Sequence, residues 1–390
     1  MRDGRKRAFI VSHERFPRES AGANYIQYLA LALLEERFAV VVIGENNKAP
    51  TGWEKSYRGI EYATCNNSAS GKSSLSAFDL RELGRIFEHY LAGPEDRFIF
   101  YNPDLAAMRH CVGRYGSGRM FGVRVEFMQP YQYKLNRLNP KYIAQSLAIR
   151  YMWRRFRGDF AISSLLKGQD ERHGLPSMLL PIMADPYEYE WIPDKRKEDE
   201  VHLVYPGMKV TGYEDDLETI FSALASLDPE KRRRVRLHIT GTSRERIDAA
   251  LPGDILERIR DNLQLHGFLP YDQLVELYRN MDGLVLIRKV NEITRANFPS
   301  KIPELLAYGV IPICTDVGDY TKDYLNDACA LIVPPYDQAA CVKAIERIID
   351  LDQEEYAQMR RAARRVAEER FYYRRWSGEI AGFIARNEGK

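Results

Sequence analysis

The sequence has no run of about 18 apolar residues, the length a helix needs to cross a bilayer. Its opening stretch, MRDGRKRAFIVS, lacks the apolar core of a secretion signal. Cysteine is sparse: Cys65, Cys111, Cys314, Cys329 and Cys341 are scattered, odd in number and partly set in apolar runs. With no CxxC and no His–Cys cluster at ligand spacing, the chain offers neither a disulfide framework nor a metal site, and reduced core thiols of a cytoplasmic protein are expected. An excess of one charge is also missing. Lys and Arg total 57 against 55 Asp and Glu, a net charge of +2, so nothing global points to nucleic acid. No short-period repeat is present.

What is present is the composition of a globular protein, 45% hydrophobic and 29% charged, in a chain of 390 residues that is too long for one ordinary core. Strand-like and helix-like segments alternate, the signature of parallel α/β sheets. In the first half strands are expected at 8–12, 40–43, 97–101, 123–127, 159–163 and 177–182. In the second half they are expected at 201–205, 235–240, 263–266, 283–287, 310–314 and 330–333. Helical spacing marks 24–37, 80–92, 140–155, 214–227, 271–280 and 338–349. Residues 183–200, rich in proline and charge, read as a linker between two doubly wound sheets. Ligands of such sheets sit beyond the carboxyl ends of the strands.

The segment 298–319, FPSKIPELLAYGVIPICTDVGD, carries the most chemistry. A Pro-Ser-Lys turn opens an amphipathic helix that Gly309 closes, and a buried-looking strand follows. A helix N-terminus suits a phosphate. Ser300 adds a hydroxyl and Lys301 a cation, while Glu304 can accept hydrogen bonds from a cis-diol such as a ribose. The same residues also fit a capped helix with solvated charges, and at this level both readings stand. Asp350 and Asp352 form an Asp-x-Asp pair, but it follows a helix rather than a strand end and reads as surface.

The blocks LVYPGMK, LHITG, LQLHGFLPYDQLVELYRNMDGLVLI, PSKIPELLAYGVIPICTDVGD, ALIVPPYD and RFYYRRW follow one another in the second half. In order and spacing they resemble the carboxyl-terminal domain of the GT-B-fold, nucleotide-sugar-dependent retaining glycosyltransferases, the large family 4-like group. The first half is similar more weakly, through AFIVSHERFPRESAGANYIQYLALAL, DFAISSLLKG and GLPSMLLPIMAD. The resemblance implies two Rossmann-like domains facing a cleft. An acceptor-binding domain would span 1–190 and a nucleotide-sugar-binding domain 191–370, with a terminal helix, 371–390, packing back on the first. It assigns the ribose to Glu304 and the diphosphate to Ser300, Lys301 and Lys209. Gly241 and the 267–269 turn with Phe268 would border the base, and Gly22 would lie close to the phosphates.

One departure stands out. The family pairs two glutamates with seven residues between them, and the first position here is Ala296. Arg288, Asn291, Arg295 and Asn297 are candidates to take over sugar or phosphate contacts, and Glu292 lies four residues before Ala296. On the acceptor side, His13 and Glu126 follow strands and can orient or deprotonate a hydroxyl. Breaking a sugar–phosphate bond develops charge that needs donors, so Lys301 is also a catalytic candidate and no metal or other cofactor is expected.

Between Tyr131 and Gly158 the chain carries Lys134, Arg137, Lys141, Arg150, Arg154, Arg155 and Arg157, with no acid and with Tyr, Trp and Phe interleaved. That mixture suits anionic headgroups, with aromatics as anchors. Taken together, the expected protein moves a sugar from a nucleotide donor, with retention, to a glycan or lipid-linked acceptor in surface polysaccharide assembly. It is expected in the cytoplasm, peripheral at the inner face of the plasma membrane, with the anionic membrane surface as a partner and no nucleic acid. The alternative is a catalytically silent relative that binds glycan or nucleotide within an assembly.

Overall fold

The computed structural model describes residues 5–17, 20–46, 55–66, 78–128, 132, 135–188, 190–193, 195, 198–207, 212–250 and 252–389. The chain forms two compact units, Met1–Met183 with Tyr373–Lys390, and Ala184–Tyr372.

The first unit is built on an eight-stranded sheet. Its strands are β1 (Arg7–Ser12), β2 (Ala39–Asn46), β3 (Lys55–Tyr57), β4 (Ile60–Asn66), β5 (Arg97–Tyr101), β6 (Met120–Arg124), β7 (Gly158–Ala161) and β8 (Ser177–Leu179). They lie in the order β3-β4-β2-β1-β5-β6-β7-β8. All pairs are parallel except β3 with β4. β1 is flanked on both sides, which is why Ala8 to Val11 form an unbroken apolar run rather than an alternating one. The β3–β4 hairpin turns through Arg58 and Gly59, both at positive φ, as a tight two-residue turn demands. Phe9 stacks on Phe98 in the core, and Phe87 meets both rings edge-on. The terminal helix Tyr373–Asn387 lies along the helix Ala21–Glu35, where Tyr373 stacks on Tyr28 at 6.0 Å.

The second unit holds a six-stranded, all-parallel sheet of β9 (Val201–Tyr205), β10 (Val235–Thr240), β11 (Leu263–Gly267), β12 (Gly283–Leu286), β13 (Ile311–Thr315) and β14 (Leu331–Val333). The order is β11-β10-β9-β12-β13-β14. Aliphatic residues of Leu217–Ser226 and Gln338–Asp350 pack on one face of the sheet.

One expectation needs correction. The strand expected at 123–127 is Met120–Arg124, because Phe121 and Val123 supply the inward residues and the chain leaves the sheet before Glu126. The stretch 183–200 begins at the junction of the two units, as its composition suggested, and its described residues are held to the second unit. Arg360, fully buried, donates to Ile192 O at 3.1 Å, and Arg364 donates to Pro186 O at 2.6 Å, fastening it to the helix Gln353–Val366. Among the described residues no helix is long and apolar enough to cross a membrane.

Candidate functional site

In the second unit the chain leaves β12 through Arg288, whose side chain is only 4% exposed. Its backbone N–H donates to Thr315 Oγ1 at 2.9 Å, tying β12 to β13. Nη2 donates to Glu214 Oε2 at 2.6 Å, and Nε lies 3.6 Å from Asp215 Oδ1. Nη1 is buried with no hydrogen-bond partner. Burial pushes the Asp215 carboxyl above the ordinary carboxylate range, opposed by Arg288 and by the Tyr205 hydroxyl donating at 2.6 Å. A buried guanidinium is costly unless paired, so this cluster explains why Arg288 is held and leaves one N–H pair for an incoming acceptor.

The loop then enters the short helix Glu292–Ala296 through a capping box. Asn291 Oδ1 accepts from Ile293 and Thr294 N–H, and Thr294 Oγ1 accepts from Asn291 N–H at 3.0 Å. The Asn291 side chain is spent on this cap and on Tyr213 O. Ala296 is fully buried, Glu292 and Arg295 are exposed, and Asn297 Oδ1 is buried with no partner.

After Pro299 comes the helix Lys301–Leu306, six residues long. Ser300 stands at its start with helical angles and makes no side-chain cap. So short a helix has little macrodipole, and the case for an anion here rests on side chains. Lys301 Nζ lies 2.7 Å from Glu304 Oε2 and 5.3 Å from the centroid of the Tyr278 ring. Burial pulls the Lys301 ammonium down, yet Glu304 and then Tyr278 outweigh it and the net direction is up, so the cation persists. Glu304 Oε1 is buried with no hydrogen-bond partner. Leaving such an oxygen unmatched costs on the order of 1–3 kcal/mol or more, which two hydroxyl donors would recover.

Beside these, the turns ending β10 and β11 are joined, with Gly241 N–H donating to Gly267 O at 2.6 Å. Thr242 is buried and its hydroxyl has no partner, while the Phe268 ring is 71% exposed. Lys209 and Met208 lie outside the described residues.

In the first unit His13 follows β1. Its Nε2 lies 3.5 Å from Asp104 Oδ2, its ring stacks on Phe78 at 4.7 Å, and Nδ1 has no hydrogen-bond partner. Asp104 caps the helix Leu105–Tyr115 with its other oxygen, so a fixed carboxylate orients the imidazole. Glu126 is exposed, two residues beyond β6, so the desolvation cost expected for it does not arise. Gly22 stands on the first turn of Ala21–Glu35, where a Cβ would fall 2.4 Å from Glu14 Cδ, and glycine there makes room for that carboxylate. Arg137, Arg150, Arg154 and Arg155 are exposed, Arg157 is half-buried, and Lys134 is outside the described residues.

A separate cavity of about 540 Å³ lies among His202, His238, His266, Lys195, Glu276 and Asp282. Among the described residues, Leu269 of the 267–269 turn is the one sequence-derived donor position that lines it. Its imidazoles pair with one another, His202 Nδ1 to His238 Nε2 at 3.0 Å and His238 Nδ1 to His266 Nε2 at 2.9 Å. Lys195 is paired with Asp282. The Asp-x-Asp pair is absorbed structurally: Asp350 holds Lys231 at 2.6 Å, and Asp352 caps Gln353–Val366. Sequence reasoning missed Asp104, Tyr278, Thr242 and the Glu214–Asp215 pair. An aspartate directly before a helical run, as in NPDL, was a readable signal for Asp104, but the partners of the others come from distant segments.

Residues 192–366 match the family described as glycosyl transferases group 1. No curated protein matches the chain by sequence. Among solved structures the chain is similar to sucrose-phosphate synthase from Thermosynechococcus elongatus, with TM-score 0.74, 14% identity, and 98% of this chain and 99% of that one covered. It is similar to WaaG, a glycosyltransferase involved in lipopolysaccharide biosynthesis, with TM-score 0.67, 16% identity, and 98% and 100% covered. It is also similar to Anabaena HepE, solved with UDP and glucose, with TM-score 0.69, 12% identity, and 97% and 99% covered. The fold is GT-B, and the match to a glycosyltransferase family covers residues 192–366 of the chain.

Proposed function

We propose that the protein transfers a sugar, with retention and without a metal, from a nucleoside-diphosphate donor to a glycan or lipid-linked acceptor in surface polysaccharide assembly. The observation that carries the donor assignment is Glu304, with one oxygen held by Lys301 and the other buried and unmatched. Two ribose hydroxyls would donate to it. The donor's C1–O bond to phosphate breaks with its electron pair leaving on the diphosphate, and the acceptor oxygen bonds to C1 as its proton departs. Lys301, Arg288 and Ser300 would neutralise and bind the leaving diphosphate, the electrostatic role that dominates such reactions. Lys209 is assigned the same anion, Asn297 the sugar, and Phe268, Gly241 and Thr242 the base. The acceptor is assigned to the first unit, where His13, held by Asp104, and Glu126 would orient or deprotonate its hydroxyl. The likeness to WaaG supports the surface-glycan reading, and the likeness to HepE makes UDP the first base to try.

The test incubates the protein with a panel of nucleotide sugars and lipid-linked or oligosaccharide acceptors. The expected result is nucleoside diphosphate released in step with a glycosylated acceptor that keeps the donor's anomeric configuration. Donor binding with no product from any acceptor would overturn the proposal in favour of a silent binding protein, a reading that the buried Ala296 at the first glutamate position favours.

A further inference from the structure

The helix Pro140–Arg155 and the turn before it carry an amphipathic surface unlike the one their composition implies. The aromatic residues do not face out. Trp153 donates Nε1–H to Asp170 at 2.8 Å and stacks on His173 at 3.6 Å. Phe156 is buried, and Tyr151 packs with Trp153 against the core of its own unit. Ala148 and Met152 complete the inward side.

What the structure exposes instead is aliphatic. Leu135 is 73% exposed and Leu138 77%, on a turn where Leu135 and Asn136 have positive φ. Ile143 and Leu147 are exposed one helical turn apart. Positions 143, 147, 150 and 154 are spaced to share one stripe, so the two aliphatic side chains lead into Arg150 and Arg154. Arg137, Lys141 and Arg155 are exposed close by in the chain. Among the described residues none of these five cations forms an ion pair, and no acid occurs between Tyr131 and Gly158. In a chain whose net charge is only +2, the positive charge is concentrated where large aliphatic side chains meet water.

We propose that this surface docks on an anionic lipid bilayer, with Leu135, Leu138, Ile143 and Leu147 entering the headgroup–acyl boundary and the arginines resting among the phosphates. A second protein copy would need acidic groups opposite the arginines or would bury like charges against each other. A bilayer with anionic lipids supplies both an apolar interior and a dense layer of negative charge. The inference rests on the lipid-linked form of the acceptor proposed above only for its purpose. The binding is tested without donor or acceptor, so its failure leaves the transfer reaction untouched.

The experiment is co-sedimentation of the full chain with vesicles of phosphatidylcholine alone and of phosphatidylcholine with phosphatidylglycerol. Binding is expected to the anionic vesicles only, and to weaken as salt rises. Arg150→Glu with Arg154→Glu should reduce it about tenfold or more, and Leu135→Ser with Leu138→Ser by about tenfold. Arg81→Glu with Arg85→Glu, an equal change of charge on the helix Leu80–His89, should leave it unchanged. All these positions are exposed, and melting curves matching the wild type confirm that the variants fold. Failure of the wild type to bind anionic vesicles would overturn the proposal, and so would equal loss in the Arg81/Arg85 control. Self-association abolished by the leucine changes, without vesicle binding, would assign the surface to a second copy instead.

Discussion

Two carboxylates in the second unit, buried Asp282 and half-buried Glu304, differ in how far the fold itself satisfies them. Asp282 stands just before β12. Its Oδ1 accepts from Lys195 Nζ at 2.6 Å and from the Tyr356 hydroxyl at 2.5 Å, and Oδ2 accepts from His202 N–H at 2.7 Å. Both oxygens are engaged, and the carboxylate ties Lys195, β9 and the helix Gln353–Val366 together. Glu304 is half-buried, and among the described residues only Lys301 holds it and Oε1 meets no donor. Evolution of a stable sheet explains the first arrangement. The second leaves an unmatched oxygen that packing alone gives no reason to keep.

The comparison breaks or sharpens under substitution. The largest effect is expected from Glu304→Ala, which should lower kcat/KM for the donor by about 10²–10³-fold, since two charge-assisted hydrogen bonds are lost. Melting should shift by no more than about 2 °C. Steady-state kinetics beside calorimetric melting reads both. Asp282→Ala should do the reverse, destabilising the fold by about 3–5 kcal/mol in denaturant titrations because the Lys195 cation loses its counter-charge and the buried Tyr356 hydroxyl its acceptor. The protein that remains folded should keep its donor kcat/KM. An intermediate effect, about 10–100-fold in kcat/KM, is expected for Lys301→Ala, which removes the cation proposed to meet the diphosphate and also the partner of Glu304 among the described residues.

The smallest effect is one of pH. Burial, then His202 and His266, push the His238 imidazole down from 6.5 to about 4. Between those values the unfolded chain takes up a proton that the folded protein refuses. Stability is therefore full above pH 6.5 and falls as pH drops toward 4. Denaturant titrations across that window should show the fall, and His238→Gln should flatten it.

Much of this architecture was readable because parallel strands buried on both faces are written as short apolar runs. Val201–Tyr205, Val235–Thr240, Arg97–Tyr101 and the helix Pro140–Arg155 lie where their patterns put them. The β3–β4 hairpin escaped because three residues at a sheet edge carry no periodicity, with Arg58–Gly59 its only signal. The pairing of Lys301 with Glu304 follows from helical spacing and so was local knowledge. Asp282 was opaque for the opposite reason: its partners sit at 195, 202 and 356, brought together only by the fold. The basic helix was misread in its aromatics, since Trp153 is turned inward by Asp170, a contact that composition cannot reveal.

The most direct test of the donor site is calorimetric titration of UDP and other nucleoside diphosphates into the wild type and Glu304→Gln. Glutamine keeps the shape and removes the charge proposed to accept the ribose hydroxyls. The account predicts that at least one nucleotide binds the wild type and binds the variant tenfold or more weakly. Equal binding to both proteins would contradict it and remove Glu304 from the site.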